Sequence, residues 1–455
     1  MKHKKYIAIA LTALLTFGSA QTALAKVIYH DISKGNLEIS QTTDDTYEVT
    51  GSTTTYSIIV KDEVATHIVL NGVNIETTNI NGIKIGSEAN VVLELDGTNS
   101  ITVNTESYDT AKAGINVAEG TLTITGGEDD SLDVKVIDNG YPSYYADGAA
   151  IGSDDGEKFN GTIIIEGGNI TAVSEYGAGI GSGWEGEMSG TITISGGEVT
   201  ASSGYYGAGI GAGDFGDITE SGSITIGGDA AVTANSDKGL GIGSGDYGNM
   251  NGTITITDYA KVDITLGDTS NKTGIGAGER SDDVFNGSIN ILEHANVVLK
   301  YENATDKTPA IGSTNPDSTG EITLSTGATI NGTQASDVEA LKALGILNDN
   351  AGTTTVEPTP EPENPDSRNT YSLKQLNLVQ RINEAEDGEV VAVSEKQLSK
   401  GKLPAYALEA LAKKENVTLA ILCEKFDILI PSEDAVADAG STQFYTIDEL
   451  VEMYE

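Results

Sequence analysis

Only one cysteine, Cys423, stands in 455 residues, so no intramolecular disulfide can staple this chain and its stability must come from packing. Basic residues are scarce: 26 Lys and Arg face 68 Asp and Glu, for a net charge of −42. Such a field repels nucleic acid and anionic membrane, which excludes both as partners. Aromatic residues make up 5% of the chain and tryptophan occurs once, at Trp184, so any clustering of rings carries information. Beyond residue 25 no stretch approaches the roughly 20 apolar residues that a membrane-spanning helix needs. The one greasy run lies at the start. Lys2, Lys4 and Lys5 precede apolar Ile7 to Phe17, and Ala23-Leu24-Ala25 follows, the order of a secretory signal over residues 1–25. The expectation is an exported chain starting at Lys26, found secreted or at the cell surface.

Glycine, by contrast, is abundant, with 55 residues. It recurs in a block centred on isoleucine, G-A-G-I-G-S-G, that places Ile151, Ile180, Ile210, Ile242, Ile275 and Ile311 on one file, with Ile85 and Ile115 as looser copies. A second block follows each anchor: Gly190-Thr-Ile-Thr-Ile194, Gly222-Ser-Ile-Thr-Ile226, Gly252-Thr-Ile-Thr-Ile256 and Gly287-Ser-Ile-Asn-Ile291. Strict alternation of apolar and polar residues is the period of a strand with one buried face. A short turn, as at Gly196-Gly197, leads to a third block such as Val199-Thr-Ala201 or Val232-Thr-Ala234. Units of about thirty residues are too small to bury their own apolar side and must stack on their neighbours. Three short strands per unit predict a triangular coil with Ile and Val inside and Thr, Ser and Asn outside.

The expected architecture is therefore all-β: a right-handed parallel β-helix of about ten coils over residues 26–350, with Asp337 to Leu347 as a C-terminal cap. Residues 351–369, with Pro358, Pro360, Pro362 and Pro365, read as an extended linker. Residues 370–455 read as a small α+β module, with helical periodicity at Leu373–Ile382, Ala405–Lys413 and Ile447–Tyr454, and strands at Glu389–Val393, Val417–Leu422 and Phe426–Ile430.

The three recurring blocks resemble the right-handed parallel β-helix repeats of bacterial exported proteins, in the broad pectate-lyase-like class. The resemblance covers about two thirds of the chain and implies carbohydrate binding or adhesion, with a polysaccharide or cell-surface glycan as partner. The segment from Lys402 to Leu411 with Val417-Thr-Leu-Ala-Ile421 also resembles a small module appended to bacterial surface proteins, which implies an envelope or protein contact.

Two constellations could carry chemistry. Four residues after each anchor stand Asp155, Trp184, Asp214, Asp246, Glu279 and Asn315. Stacked carboxylates raise each other's pKa or recruit a cation, and calcium, which takes several oxygen ligands in flexible geometry, suits Asp155, Asp214, Asp246 and Glu279. An acidic turn without an ion explains the same file. Beside it lie Tyr176 and Tyr206, four before the anchor, and Trp184, Phe215 and Tyr247 just after it. A row of flat rings along a rod is a platform for sugar rings; rings that shelter glycine-rich corners are the alternative. A polysaccharide lyase or glycoside hydrolase on the same scaffold is the rival function, but any acidic ladder supplies carboxylates at the required separation, so their spacing decides nothing. Arg280 is the only arginine in the rod, and His30, His67 and His294 are far apart, more consistent with surface or turn positions than with a triad. Thr-x-Thr ranks such as Thr191/Thr193 and Thr253/Thr255 are shared with ice-binding solenoids, yet threonine is also an ordinary outward residue on a strand. Cys423 reads as a small buried hydrophobe.

Overall fold

The computed structural model describes residues 26–106, 111–138, 147–267, 273–278, 283–304, 309–347 and 353–358, and shorter pieces between 378 and 454. The expected leader, most of the linker and most of the helix at Leu373–Ile382 lie outside the described residues. The chain divides into a large body that runs to Thr359 and a second body, Pro360–Glu455.

In the large body the repeat blocks form parallel, in-register ladders. The anchor isoleucines make a ten-stranded sheet of very short strands. Ile115, Ile151, Ile180, Ile210, Ile242, Ile275 and Ile311 pair in one unbroken file. The file continues toward the N-terminus through Ile83 and Ile58, not through Ile85. Ile85 lies two residues on, on the same inward side, and alternation alone cannot distinguish two inward positions of one strand.

The Thr-Ile-Thr-Ile strands stack on one another with Ile192, Ile224, Ile254 and Ile289 aligned. The third blocks are longer than the brief pieces expected: Asn169–Ser174, Glu198–Ser203, Ala231–Ser236 and Lys261–Leu266 each run six residues. In the first coils the corner between these two faces is absorbed by long strands, Thr46–Thr53 and Ala65–Thr78, which pair into both ladders; the two faces thereby join into one 21-stranded sheet. The inward residues of the repeated coils are mostly Ile, Val and Ala, with Leu at places such as Leu266 and Leu299, and β-branched side chains pack well on a pleated surface.

Between the anchor and the Thr-Ile-Thr-Ile strand runs a further file of isolated parallel bridges: Phe159, Met188, Ile218, Met250 and Phe285. All five are fully buried. Phe159 and Phe285 are the largest fully buried side chains among the described residues, so they fill the corner that short strands leave open. Replacing Phe159 by alanine is expected to cost about 3–5 kcal/mol through the cavity it leaves, read as a lowered denaturant midpoint. An unchanged midpoint would show that this corner collapses freely.

Both ends of the core are closed. Ile32, in the turn Ile32–Lys34, is fully buried at the N-terminal coil. At the other end the helix Val338–Ala343, N-capped by Asp337, buries Leu341, and Ile346 and Leu347 follow it into the core. The ladder extends past residue 350: Thr353–Glu357, inside the expected linker, pairs in register with Glu321–Ser325. Its sequence, T-T-T-V-E, is itself β-branched, and a free strand edge is a template for it.

The second body has a three-stranded sheet of Val390–Ser394, Thr418–Leu422 and Asp427–Pro431, and a two-stranded one of Lys402–Pro404 and Phe444–Thr446. Helices Ala405–Leu411 and Ile447–Tyr454 complete it. Its core contains Val391, Leu408, Leu411, Leu419, Ile421, Ile430 and Leu450, and Cys423 is buried there. No helix among the described residues is long and apolar enough to cross a membrane.

Candidate functional site

Ile151, Ile180 and Ile210 are each the tip of a tight loop. The residue two before it donates its N–H to the carbonyl two after it: Ala149 to Ser153 at 2.9 Å, Ala178 to Ser182 at 3.0 Å and Ala208 to Ala212 at 2.9 Å. Buried serines brace the same loops. Ser182 Oγ donates to the Gly186 carbonyl at 2.6 Å and accepts the Gly213 N–H of the next coil at 3.1 Å; Ser153 and Ser244 repeat the pattern.

The neck of these loops forms a continuous seam. The residue four after an anchor donates its N–H to the residue four before the preceding anchor: Asp155 to Ala111 at 3.2 Å, Trp184 to Asp147 at 2.9 Å, Asp214 to Tyr176 at 3.1 Å and Asp246 to Tyr206 at 2.9 Å. The two files expected to carry chemistry are therefore neighbours across one seam, joined by backbone hydrogen bonds. On one side Tyr176 stacks on Tyr205 (centroids 4.8 Å apart, planes 19° apart), Tyr206 lies 5.9 Å from Tyr205, and the Lys238 ammonium sits 4.3 Å from the Tyr205 centroid. On the other side Trp184 meets Phe215 edge-on at 6.0 Å, and Phe215 stacks on Tyr247 at 4.5 Å and 7°.

The rings do not form the flat platform expected from their spacing. A ring separation of 4.5 Å is close to the rise between stacked strands, about 4.8 Å, so Phe215 and Tyr247 cover each other's faces, whereas Trp184 meets Phe215 edge-on. Tyr176 is almost fully buried, whereas Phe215 and Tyr247 are 46% and 41% exposed. Both also have left-handed backbones, φ 61° and 65°, on a file that begins with Gly156 and Glu185. A non-glycine residue costs on the order of 1–2 kcal/mol in that region.

Of the acidic file, Asp214 and Asp246 are buried on successive coils, Asp155 is half-buried, and Trp184 separates Asp155 from Asp214. Glu279, like Arg280, lies outside the described residues. Among the described residues no three His, Cys, Asp or Glu side chains gather in a way that could hold a metal ion.

Asp154, beside the file, is bound into the fold: it accepts from Asn81 Nδ2 at 2.7 Å, Lys112 Nζ at 2.7 Å and the Ala113 N–H at 2.9 Å. Burial pushes the Asp155 carboxyl up to about 7, aided by Glu185 and Asp154 and opposed by Lys112. Asp147, fully buried, is raised well above the usual carboxylate range by burial first and then by Glu175 and Asp138; the Thr105 hydroxyl and the Tyr176 backbone oppose the shift.

Sequence reasoning missed Asp147 and Tyr205, and although Lys238 flanks an anchor strand, the sequence assembled no site around it. Asp147 stands four residues before Ile151, as Tyr176 and Tyr206 do before their anchors, so the same offset could have found it. His67 also differs from expectation: it is buried, bonded to Thr46 Oγ1 at 3.1 Å and paired with Glu94 at 3.0 Å. His30 bonds the Gly35 carbonyl and His294 stacks on Tyr259, so these three histidines serve separate local contacts.

A family model described as a beta helix repeat matches residues 163–184 and 192–214, two successive coils that include Trp184 and Asp214. No curated protein and no solved structure matches the chain. The ladders carry the pairing of the two matched coils without a break from Ile58 to Ile311, consistent with a right-handed solenoid. The large body folds as a parallel β-helix, and two of its coils match the beta helix repeat model.

Proposed function

We propose that this is an exported, surface-associated protein that binds polysaccharide along the seam without cleaving it. The observation that carries the reading is the pair Phe215 and Tyr247. Two large rings stand exposed at positions where the backbone is left-handed, where the first coil of the file has glycine and the second has glutamate. A packing role does not call for rings at these exposed positions, and strain held at an exposed aromatic pair points to a surface used for contact. Ring edges offer apolar C–H contact to a sugar, and the carboxylates and amides beside them offer hydrogen-bond partners to its hydroxyls. Fold alone does not separate this from adhesion, since solenoids host many activities.

A second reading, a glycoside hydrolase or polysaccharide lyase, is favoured by one feature: Asp155, with a carboxyl that titrates near 7 and a second acid, Glu185, on the adjacent coil, has the character of a general acid. Pull-down of the protein on insoluble and gel-immobilised polysaccharides, with calcium and with chelator, separates the readings. Retention with no sugar in the supernatant is the expected result. Released reducing ends or unsaturated products would replace binding by catalysis, and loss of retention in chelator would implicate a cation. Neither retention nor released sugar on any polymer would overturn both readings and leave a structural rod.

A further inference from the structure

Asp155 and Trp184 hold the same place on successive coils, and the Gly156 N–H donates to the Trp184 carbonyl at 2.8 Å, so their side chains emerge about one strand spacing apart. Asp155 Oδ1 and Trp184 Nε1 are both withdrawn from water, and neither has a hydrogen-bond partner among the described residues. One is an acceptor and the other a donor. Leaving such atoms unpaired is costly, and a ligand that satisfies both recovers that cost. Most polar groups of the seam are used internally: Asp154 by Asn81, Lys112 and Ala113, and Glu157 by Asn116 Nδ2 at 2.7 Å. Asp147, whose carboxylate oxygens are withdrawn from water in the same way, is fully buried, whereas Asp155 and Trp184 lie within reach of the surface. Both residues are only half-buried, so a rotation of either side chain opens the pair to a ligand.

We propose that Asp155 and Trp184 form a hydroxyl-recognition subsite for a neutral oligosaccharide, the sugar hydroxyl donating to Asp155 Oδ1 and accepting from Trp184 Nε1–H. This rests on the polysaccharide-binding reading and deepens it. A hydroxyl is both donor and acceptor in one atom, which matches one orphan of each kind. Neutrality follows from the surroundings: Asp154, Glu157 and Glu185 flank the pair, Lys112 is the counter-charge named with them, and the whole chain carries −42. A uronate polymer would meet like charge there. Phe215, edge-on to Trp184 at 6.0 Å, extends the contact along the rod toward Tyr247.

Trp184 is the only tryptophan, so its emission reports this place and no other. The purified protein is titrated with cellohexaose, xylohexaose and laminarihexaose, and with a hexagalacturonate, following tryptophan emission and, in parallel, heat of binding. At least one neutral hexasaccharide is expected to shift the emission saturably. Asp155→Asn and Trp184→Phe are each expected to weaken binding about tenfold, the loss of one net hydrogen bond of about 1.4 kcal/mol. Glu198→Gln, on an exposed position of another face, leaves binding unchanged, and circular dichroism verifies that the variants are folded. Heat of binding with unchanged emission and with Asp155→Asn as tight as the parent would overturn the subsite while leaving polysaccharide binding intact. Preference for the galacturonate would overturn its neutrality. Absence of binding to all four would sink the subsite and the reading together.

Discussion

Gly181→Ala is expected to break the rod in its middle. Gly181 follows an anchor isoleucine with φ 139°, and a Cβ there would lie 1.8 Å from the Gly211 carbonyl oxygen of the next coil. The conflict is with backbone, so no side-chain rotation relieves it. The same geometry recurs at Gly152, Gly211, Gly243 and Gly276, each with its Cβ position within 2.1 Å of the following coil's carbonyl oxygen. A methyl group must therefore pry two coils apart or twist the tight loop out of its closure. The cost is expected to be on the order of 4 kcal/mol or more. In a solenoid each coil contacts only its neighbours, so the damage should divide the rod and lower its cooperativity. Thermal melting by circular dichroism and limited proteolysis check this. Gly156→Ala is the control: its φ is 65° and no atom lies within 4 Å of its Cβ, so it should cost only about 1–2 kcal/mol. Equal melting temperatures for the two variants would refute the account of the anchor glycines.

Asp147→Asn is expected to stabilise the protein at neutral and higher pH. The folded-state pKa of Asp147 is raised above the unfolded value by burial, Glu175 and Asp138. The native state then holds a proton that the unfolded chain releases once pH exceeds about 4. Stability contributed here is present at low pH and falls as pH rises toward the folded-state pKa. Asparagine mimics the protonated acid, cannot ionise, and places an N–H donor among carboxylates. The variant should match the parent near pH 4 and melt higher at pH 7–8, by about 2–4 °C for each kcal/mol regained. Glu175 is itself raised, by burial and then by Asp138, so Glu175→Gln should act in the same direction. A melting temperature at pH 8 equal to or below the parent's would mean that Asp147 is ionised and held by contacts that asparagine cannot replace.

The parts of the fold legible in the sequence are those in which each coil repeats the last. Alternation in Gly190-Thr-Ile-Thr-Ile194 marks an inward face, and recurrence of the block sets the register of Ile192 on Ile224 and Ile254. The Thr-x-Thr ranks align as expected, with Thr193, Thr225 and Thr255 in one file, interrupted by Ile164 and Asn290. The Phe159–Phe285 file was not legible, because Phe, Met and Ile at one site share volume and apolarity but no letter. Nor was the added strand Thr353–Glu357, since prolines just beyond it gave the whole segment a linker's composition.

For the candidate site, the sequence determined which residues share a position along the rod: Asp155 with Trp184, Asp214 and Asp246, and Tyr176 with Tyr206 and, unnoticed, Asp147. Offsets from a repeated anchor carry that information because stacked coils preserve them. Only the tertiary structure decided how these files meet. The chain turns back around the anchors from Ile115 to Ile242, so residues four before one anchor and four after the next become hydrogen-bonded neighbours in adjoining coils. It also decided that the rings of Phe215 and Tyr247 face each other, because strand spacing and aromatic stacking distance nearly coincide. Finally, it decided which acids have raised pKa values. That outcome depends on burial and on charges from other coils, and a sequence offset contains neither.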